Sequence, residues 1–280
     1  MQRATLRLAA VLLSVSVWAC GGGGSDDAAA RSPTGTSGAR WVPAITDTWH
    51  WQLQGPLDTR VQATVYDVDL FDTSAALIAQ LHAQGRRVVC YFSAGTAEEW
   101  RADFRQFAPQ HLGRPLADWP GERWTDTRAD GVRQVLQARL DLAVTKGCDG
   151  VEPDNMDAYR HPSGFALTAD TQLTFNRFVA AQAHARGLAV GLKNDVEQLV
   201  ALEPSFDFAV NEQCFHFNEC SAYAVFTRRN KAVFNAEYAE AYRTNARGAR
   251  DELCAVARRL RIRTLVLPVA LDGSFRHACD

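Results

Sequence analysis

Eight short apolar runs punctuate the chain, each the length of one strand and most of them rich in Val, Leu, Phe or Tyr. They are WHWQL (49–53), TVYDVDLF (64–71), RVVCYFS (87–93), GVEPD (150–154), AVGLKN (189–194), FAVNEQ (208–213), AVFNAEY (232–238) and TLVLPVA (264–270). Between them lie segments with a 3.6-residue apolar period. TSAALIAQLHAQG opens on Thr73 and Ser74 and stops at Gly85; QLTFNRFVAAQAHARG stops at Gly187 and RQVLQARLDLAVTKG at Gly147. A Ser or Thr before the first turn satisfies free N–H groups, and a glycine past the last turn takes the left-handed conformation that ends a helix. Strand alternating with helix predicts a parallel α/β sheet. Eight such units in the roughly 240 residues from Trp41 onward predict a single (β/α)8 TIM-type barrel, not an open doubly wound sheet. No G-x-G-x-x-G follows the first strand, which argues against a dinucleotide site. Two connections depart from the repeat. Too few residues separate Gln54 from Thr64 for a full helix, and the stretch 94–148 is long and carries Trp100, Trp119 and Trp124.

The pattern changes toward the N-terminus. Residues 1–20 place Arg3 and Arg7 before an apolar run from Leu8 to Val17 and then small Ala19 before Cys20, the layout of a secretory signal peptide too short to span a bilayer as a mature helix. The ending VWAC resembles a bacterial lipobox and makes Cys20 the candidate lipidation site, with simple cleavage as the alternative. Residues 21–40 are nearly devoid of apolar side chains and read as a flexible Gly/Ser-rich linker, leaving residues 41–280 as the barrel domain. The expected product is exported: a lipoprotein of the outer membrane or cell surface, or a secreted protein, and a monomer. A net charge of −2 suggests no nucleic-acid partner, and the lipid anchor is the only membrane contact expected. Six cysteines follow Cys20, and an even number in an exported chain suggests disulfides, of which six cysteines permit fifteen pairings. Short spacing favours Cys214–Cys220; Cys254–Cys279 would tie the last helix to the tail, leaving Cys90–Cys148. No C-x-x-C spacing supports zinc.

In a barrel of this kind chemistry collects at the C-terminal ends of the strands. Those ends carry Asp67 and Asp69, Tyr91 and Ser93, Glu152 and Asp154, Lys193 and Asn194, Glu212, then Glu237 and Tyr238. One carboxylate there is commonly a helix cap; several converging ones are a site. Asp154 and Glu212 end the fourth and sixth strands, which face one another across the mouth, and two opposed carboxylates are what glycosidic cleavage needs: one protonates the leaving oxygen, the other attacks the anomeric carbon or activates water. A divalent metal on Asp67, Asp69 and Glu152 is the competing use, although the histidines follow no zinc spacing. Only three of 30 basic residues are lysines, so Lys193 at a strand end is itself informative.

The segments VVCYFSAG, ERWTDTR, RLDLAVTKGCDGVEPDNMDAY, AHARGLAVGLKN, FDFAVNEQCFHFNEC and KAVFNAEY, in that order between about Trp49 and Tyr238, resemble glycoside hydrolase family 114, the endo-α-1,4-polygalactosaminidases. The resemblance implies a (β/α)8 barrel that cleaves α-1,4-linked galactosamine polymers of microbial exopolysaccharide, with no cofactor and no metal. It implies Asp154, in EPDN, as nucleophile and Glu212, in NEQC, as acid/base of a retaining double displacement. Met156 departs from the family's usual small β-branched residue. Such a substrate is an ammonium sugar, so Asp67, Asp69, Glu152 and Glu237 are expected to supply charge, Trp51, Tyr91 and Trp124 stacking faces, and Lys193 the orientation of Asp154 or Glu152. A non-catalytic carbohydrate-binding lipoprotein on the same barrel is the alternative.

Overall fold

A computed structural model describes residues 40–280; the signal peptide, Cys20 and residues 21–39 of the linker lie outside the described residues. In chain order the elements are β1 (Trp49–Gln52), β2 (Val65–Asp69), α1 (Ala75–Ala83), β3 (Arg87–Ser93), β4 (Thr96–Glu98), β5 (Leu112–Pro115), β6 (Glu122–Thr125), α2 (Asp130–Lys146), β7 (Gly150–Asp154), α3 (Ala169–Ala185) and β8 (Ala189–Lys193). They continue through α4 (Leu199–Leu202), β9 (Phe208–Glu212), α5 (Ala224–Thr227), β10 (Val233–Glu237), α6 (Glu240–Arg243), α7 (Ala249–Leu260), β11 (Arg263–Val266) and β12 (His277–Ala278). The sheet order is β1-β2-β3-β7-β8-β9-β10-β11-β12, parallel throughout except for β12, which runs antiparallel to β11. All eight strands expected from the apolar runs are therefore present as the parallel staves of one curled sheet.

The helix boundaries follow local chemistry. Ser74 caps α1 by accepting from Leu77 N at 3.2 Å, and Thr168 opens α3 in a reciprocal capping box with Thr171. Gly147, at φ 89°, ends α2 in the left-handed region. The last strand is shorter than its apolar run because Pro268 brings no N–H to a ladder, and Val269 turns out to solvent.

Both faces of the sheet are apolar, as a parallel sheet covered by helices requires. Outward side chains such as Val88, Phe92, Val151 and Leu192 pack under the helices. Inward ones, including Trp49, Val65, Val89, Phe208, Val210, Phe234 and Leu265, fill the bore. Trp49 stacks on Trp51 and on Phe234 at ring-centroid distances of 5.6 and 5.0 Å. Gly191 is obligatory in this layer, because a Cβ there would come within 2.5 Å of the Phe208 ring. The seam between β1 and β11 is tied by side chains and the tail: the Trp49 indole donates to Arg263 O at 2.9 Å, Arg276 donates to Trp49 O at 2.7 Å, and Leu53 N donates to Leu271 O at 3.0 Å.

The long connection after β3 holds a small antiparallel sheet, β4-β6-β5, that the apolar runs did not predict. Buried Arg139 of α2 fastens it to the barrel, donating to Asp103 at 2.8 Å and to Ser93 O at 2.6 Å. The six cysteines form Cys90–Cys148, Cys214–Cys220 and Cys254–Cys279. Cys90–Cys148 closes the longest loop, 58 residues, and spans the inserted sheet. Chain entropy assigns that loop about 4 kcal/mol. Replacing both cysteines by Ala is expected to lower the unfolding free energy by about that amount, with Cys214–Cys220 and Cys254–Cys279 still oxidised, as read by urea unfolding and thiol titration.

Candidate active site

Register decides which strand-end side chains face the mouth. Glu212 is level with Ala236 and Ser93 with Asp154, so inward positions run Asp67 and Asp69, Tyr91 and Ser93, Glu152 and Asp154, Gly191 and Lys193, Val210 and Glu212. They surround a cleft of about 710 Å³ at the C-terminal ends of the strands. Its floor is built around the Lys193 ammonium, which is 1% exposed. Nζ lies 2.9 Å from Glu152 Oε1, 3.2 Å from Asp154 Oδ1 and 3.4 Å from Glu212 Oε2. The rings of Trp51 and Tyr91 flank it, with centroids at 4.8 and 5.5 Å. Burial alone would pull the ammonium down; Asp154, Glu152 and Glu212 outweigh it and hold the group well above its usual range.

The two cleft carboxylates are each held from several sides. Asp154 accepts from Tyr91 OH at 2.9 Å, from Asn155 N at 2.7 Å and from Lys193. Asn155, in the left-handed region at φ 58°, also donates from Nδ2 to Ser93 Oγ at 2.9 Å and to Glu122 Oε1 at 3.3 Å. The turn packs closely, since a Cβ on Gly95 would overlap Asn155 O at 1.9 Å. Glu212 accepts from Tyr238 OH at 2.5 Å, and its own N–H donates to Asn194 Oδ1 at 2.9 Å. Asn194 and Tyr238 were noted from sequence only as strand-end residues without a role, and Asn155 was not among the expected site residues. The signal for the two asparagines is their position directly after a strand, where Asn adopts the left-handed turn that aims the preceding side chain.

Five of the expected contact residues line the cleft: Trp51, Asp69, Tyr91, Trp124 and Lys193. Asp69 does so as one partner of an ion pair, 2.5 Å from Arg101, which also holds Glu98 at 3.0 Å. Three expectations need correction. Glu237 points to the opposite face of β10, because its register neighbour is outward Val266; there it accepts from Phe215 N at 2.8 Å and secures the Cys214–Cys220 loop. Asp67 and Glu152 face inward but lie beneath the floor, at 1% and 0% exposure. Both Asp67 oxygens and Glu152 Oε2 are buried without a hydrogen-bond partner among the described residues. Burial first, and then the Glu152 charge, push Asp67 well up; burial also pushes Glu152 up to about 7, against the pull of Lys193. One wall of the cleft comes from the inserted sheet, with Glu98, Arg101, Glu122 and the exposed indoles of Trp100 and Trp119. Buried Met156 lines the cleft beside Asp157, and Trp124 stacks on His161 at 4.7 Å.

Residues 30–280 match the sequence model of glycoside-hydrolase family GH114. The chain belongs to that family. Among solved structures it is similar to Aspergillus fumigatus Ega3 in complex with galactosamine: 39% identity, TM-score 0.81, covering 87% of this chain and 99% of that one. The glycoside hydrolase domain of PelA from Pseudomonas aeruginosa shares the fold at 16% identity and TM-score 0.65, covering 81% of this chain and 96% of that one. An uncharacterized Deinococcus radiodurans protein is 27% identical, over 70% of this chain and 74% of its own length. This GH114 protein is thus a glycoside hydrolase with a TIM-type barrel.

The site has a thermodynamic signature. Burial pushes Glu122, Glu152, Asp195 and Glu237 each up to about 7. In the unfolded chain such groups ionise near pH 4. Between those values the folded state holds more protons, so stability falls as pH rises through that window and levels off above it. His50, pushed down to about 4 by burial, opposes part of this slope. The melting temperature of this GH114 domain is expected to be higher at pH 5 than at pH 8. Glu237→Gln, remote from the cleft, is expected to shrink the difference, read by calorimetry at both pH values.

Proposed function

We propose that the chain is an endo-acting hydrolase of α-1,4-linked galactosamine polymers, with Asp154 as nucleophile and Glu212 as acid/base. The carrying observation is the pair of carboxylates bridged by Lys193. The two Lys193 distances put Asp154 Oδ1 and Glu212 Oε2 no more than about 6.6 Å apart. Retaining glycosidases place their carboxyl groups about 5–5.5 Å apart and inverting ones roughly 6.5–9.5 Å, so the limit favours retention. Glu212, the more exposed at 30% against 18% for the Asp154 side chain, is the better placed to meet a leaving group at the cleft surface.

In the reaction Glu212 delivers its proton to the glycosidic oxygen as Asp154 Oδ attacks the anomeric carbon. The glycosyl ester is then hydrolysed by a water whose proton returns to Glu212. Tyr91, Asn155 N–H and Lys193 fix the attacking carboxylate, which reduces the reorganisation needed at the transition state. The cleft lining suits a cationic amino-sugar chain, with eight carboxylates against Lys193 and Arg101, and aromatic faces on Trp100, Trp119 and Trp124. Membership of GH114 and likeness to Ega3, whose structure holds galactosamine, support the same substrate. Three disulfides belong to an oxidising compartment, which supports export; Cys20 is the proposed lipid anchor of a monomeric enzyme.

Incubation with de-N-acetylated galactosaminan is expected to release oligosaccharides of mixed length, read by mass spectrometry. Asp154→Asn and Glu212→Gln are expected to lower kcat by at least about 10³-fold at unchanged melting temperature. Binding without release by the wild type would instead make the barrel a carbohydrate-binding lipoprotein. Lys193→Arg is expected to cut kcat at least about tenfold, because a planar guanidinium does not fit a floor built around one ammonium; full activity would remove Lys193 from the mechanism. For the anchor, Cys20→Ser is expected to abolish the protein's lipid mass increment, read by mass spectrometry.

A further inference from the structure

The ionisable groups divide along the barrel axis. Carboxylates dominate the cleft at the C-terminal ends of the strands, whereas arginines gather at the opposite end. Arg228 and Arg229 precede β10, Arg261 precedes β11, and Arg258 and Arg259 occupy the last turn of α7. All five are exposed, and none forms an ion pair among the described residues. The fold concentrates them. Arg228, Arg259 and Arg261 line one concavity of about 240 Å³ that carries no carboxylate. Arg261, in the left-handed region at φ 60°, reaches across to Thr227 O and Asn230 Oδ1 at 3.4 and 3.2 Å. Four carboxylates on the same end already have cationic partners: Glu203 is 2.7 Å from Lys231, Asp207 2.6 Å from Arg40, Asp149 2.7 Å from Arg87, and Asp280 4.0 Å from Arg263.

The N-terminal segment joins the barrel at this same end. Arg40 is bonded to Asp207, just ahead of β9, and Ala44 bridges to Lys231, beside Arg228 and Arg229. The described chain therefore begins at the end of the barrel that carries the arginines.

We propose that this face docks on the anionic headgroups of a phospholipid bilayer, leaving the cleft turned away from the membrane. Unpaired arginines near such a surface are drawn by its negative potential within a Debye length. The acidic rim of the cleft is repelled by the same potential, so both ends of the barrel favour one orientation. The docking deepens the anchored-enzyme reading above, but it does not require lipidation of Cys20, and the test separates the two.

The test uses the chain from residue 20 onward, freed of residues 1–19 and carrying Cys20→Ser, so that neither a lipid nor the apolar leader contributes, and measures co-sedimentation with vesicles of phosphatidylcholine with and without phosphatidylglycerol. Binding is expected only with phosphatidylglycerol and is expected to disappear between about 0.1 M and about 1 M salt, where the Debye length falls from roughly 10 to 3 Å. The double variant Arg228→Glu/Arg259→Glu is expected to bind at least about tenfold more weakly, with galactosaminan cleavage unchanged. Arg105→Glu/Arg114→Glu, an equal charge change on exposed arginines of the insertion, is expected to leave binding unaltered. Equal loss in both double variants, or binding to phosphatidylcholine alone, would overturn the proposal. Tighter retention on duplex DNA than on the vesicles would overturn it too, reassigning the face to a nucleic acid. Loss of the lipid mass increment in the Cys20→Ser protein bears on the anchor alone.

Discussion

A single ammonium, Lys193 Nζ, bridges three carboxylates at the top of the barrel, and the surrounding side chains keep it there. In a water-poor floor, Glu152, Asp154 and Glu212 would repel one another strongly if left without it, and a buried ion that loses its partner is far costlier than an exposed one. The ammonium is compensated in its turn by charge and by the π faces of Trp51 and Tyr91. Beneath it, Asp67 and Glu152 are buried together, and burial raises the pKa of both. Every other feature of the floor follows from fitting this cluster above a bore packed with Trp49, Phe208 and Phe234.

The inserted sheet gives that floor a wall and a rigid mount. Asn155 links β7 to Ser93 of β3, Thr96 of β4 and Glu122 of β6 through one side-chain amide. The turn carrying Asp154 is thereby tied to four elements, three of them outside its own strand. Arg139 supports the same region from below by holding Asp103 and Ser93 O. A carboxylate that must meet an anomeric carbon in one geometry gains from such fixing, since small displacements are expensive in rate.

The polarity along the barrel axis combines these arrangements into one electrostatic pattern. The cleft end concentrates carboxylates that attract an ammonium sugar, and the far end leaves arginines without acidic neighbours. A net charge of −2 for the whole chain gives no sign of this division. Long-range steering depends on where the charges lie, not on their sum.

Much of the architecture is written in the sequence because it rests on local rules. Apolar runs bounded by Ser, Thr and Gly signals mark all eight parallel strands and the principal helices, and the strand ends of Asp154 and Glu212 name the facing carboxylates. Cysteine spacing favoured Cys214–Cys220 alone; the structure contains that pair together with Cys254–Cys279 and Cys90–Cys148. Period-2 alternation also held the information that Glu237 lies opposite Tyr238, but only register with Glu212 and Val266 says which of the two faces inward. Depth is a different matter. Whether Asp67 and Glu152 touch the cleft or lie under it depends on how far the floor stands above them, which is set by side chains from five strands. The same holds for the three-carboxylate bridge of Lys193, the Asn155 network and the gathering of arginines at the far end. Each joins residues far apart in the chain, and only the closed packing of the barrel brings them within bonding distance.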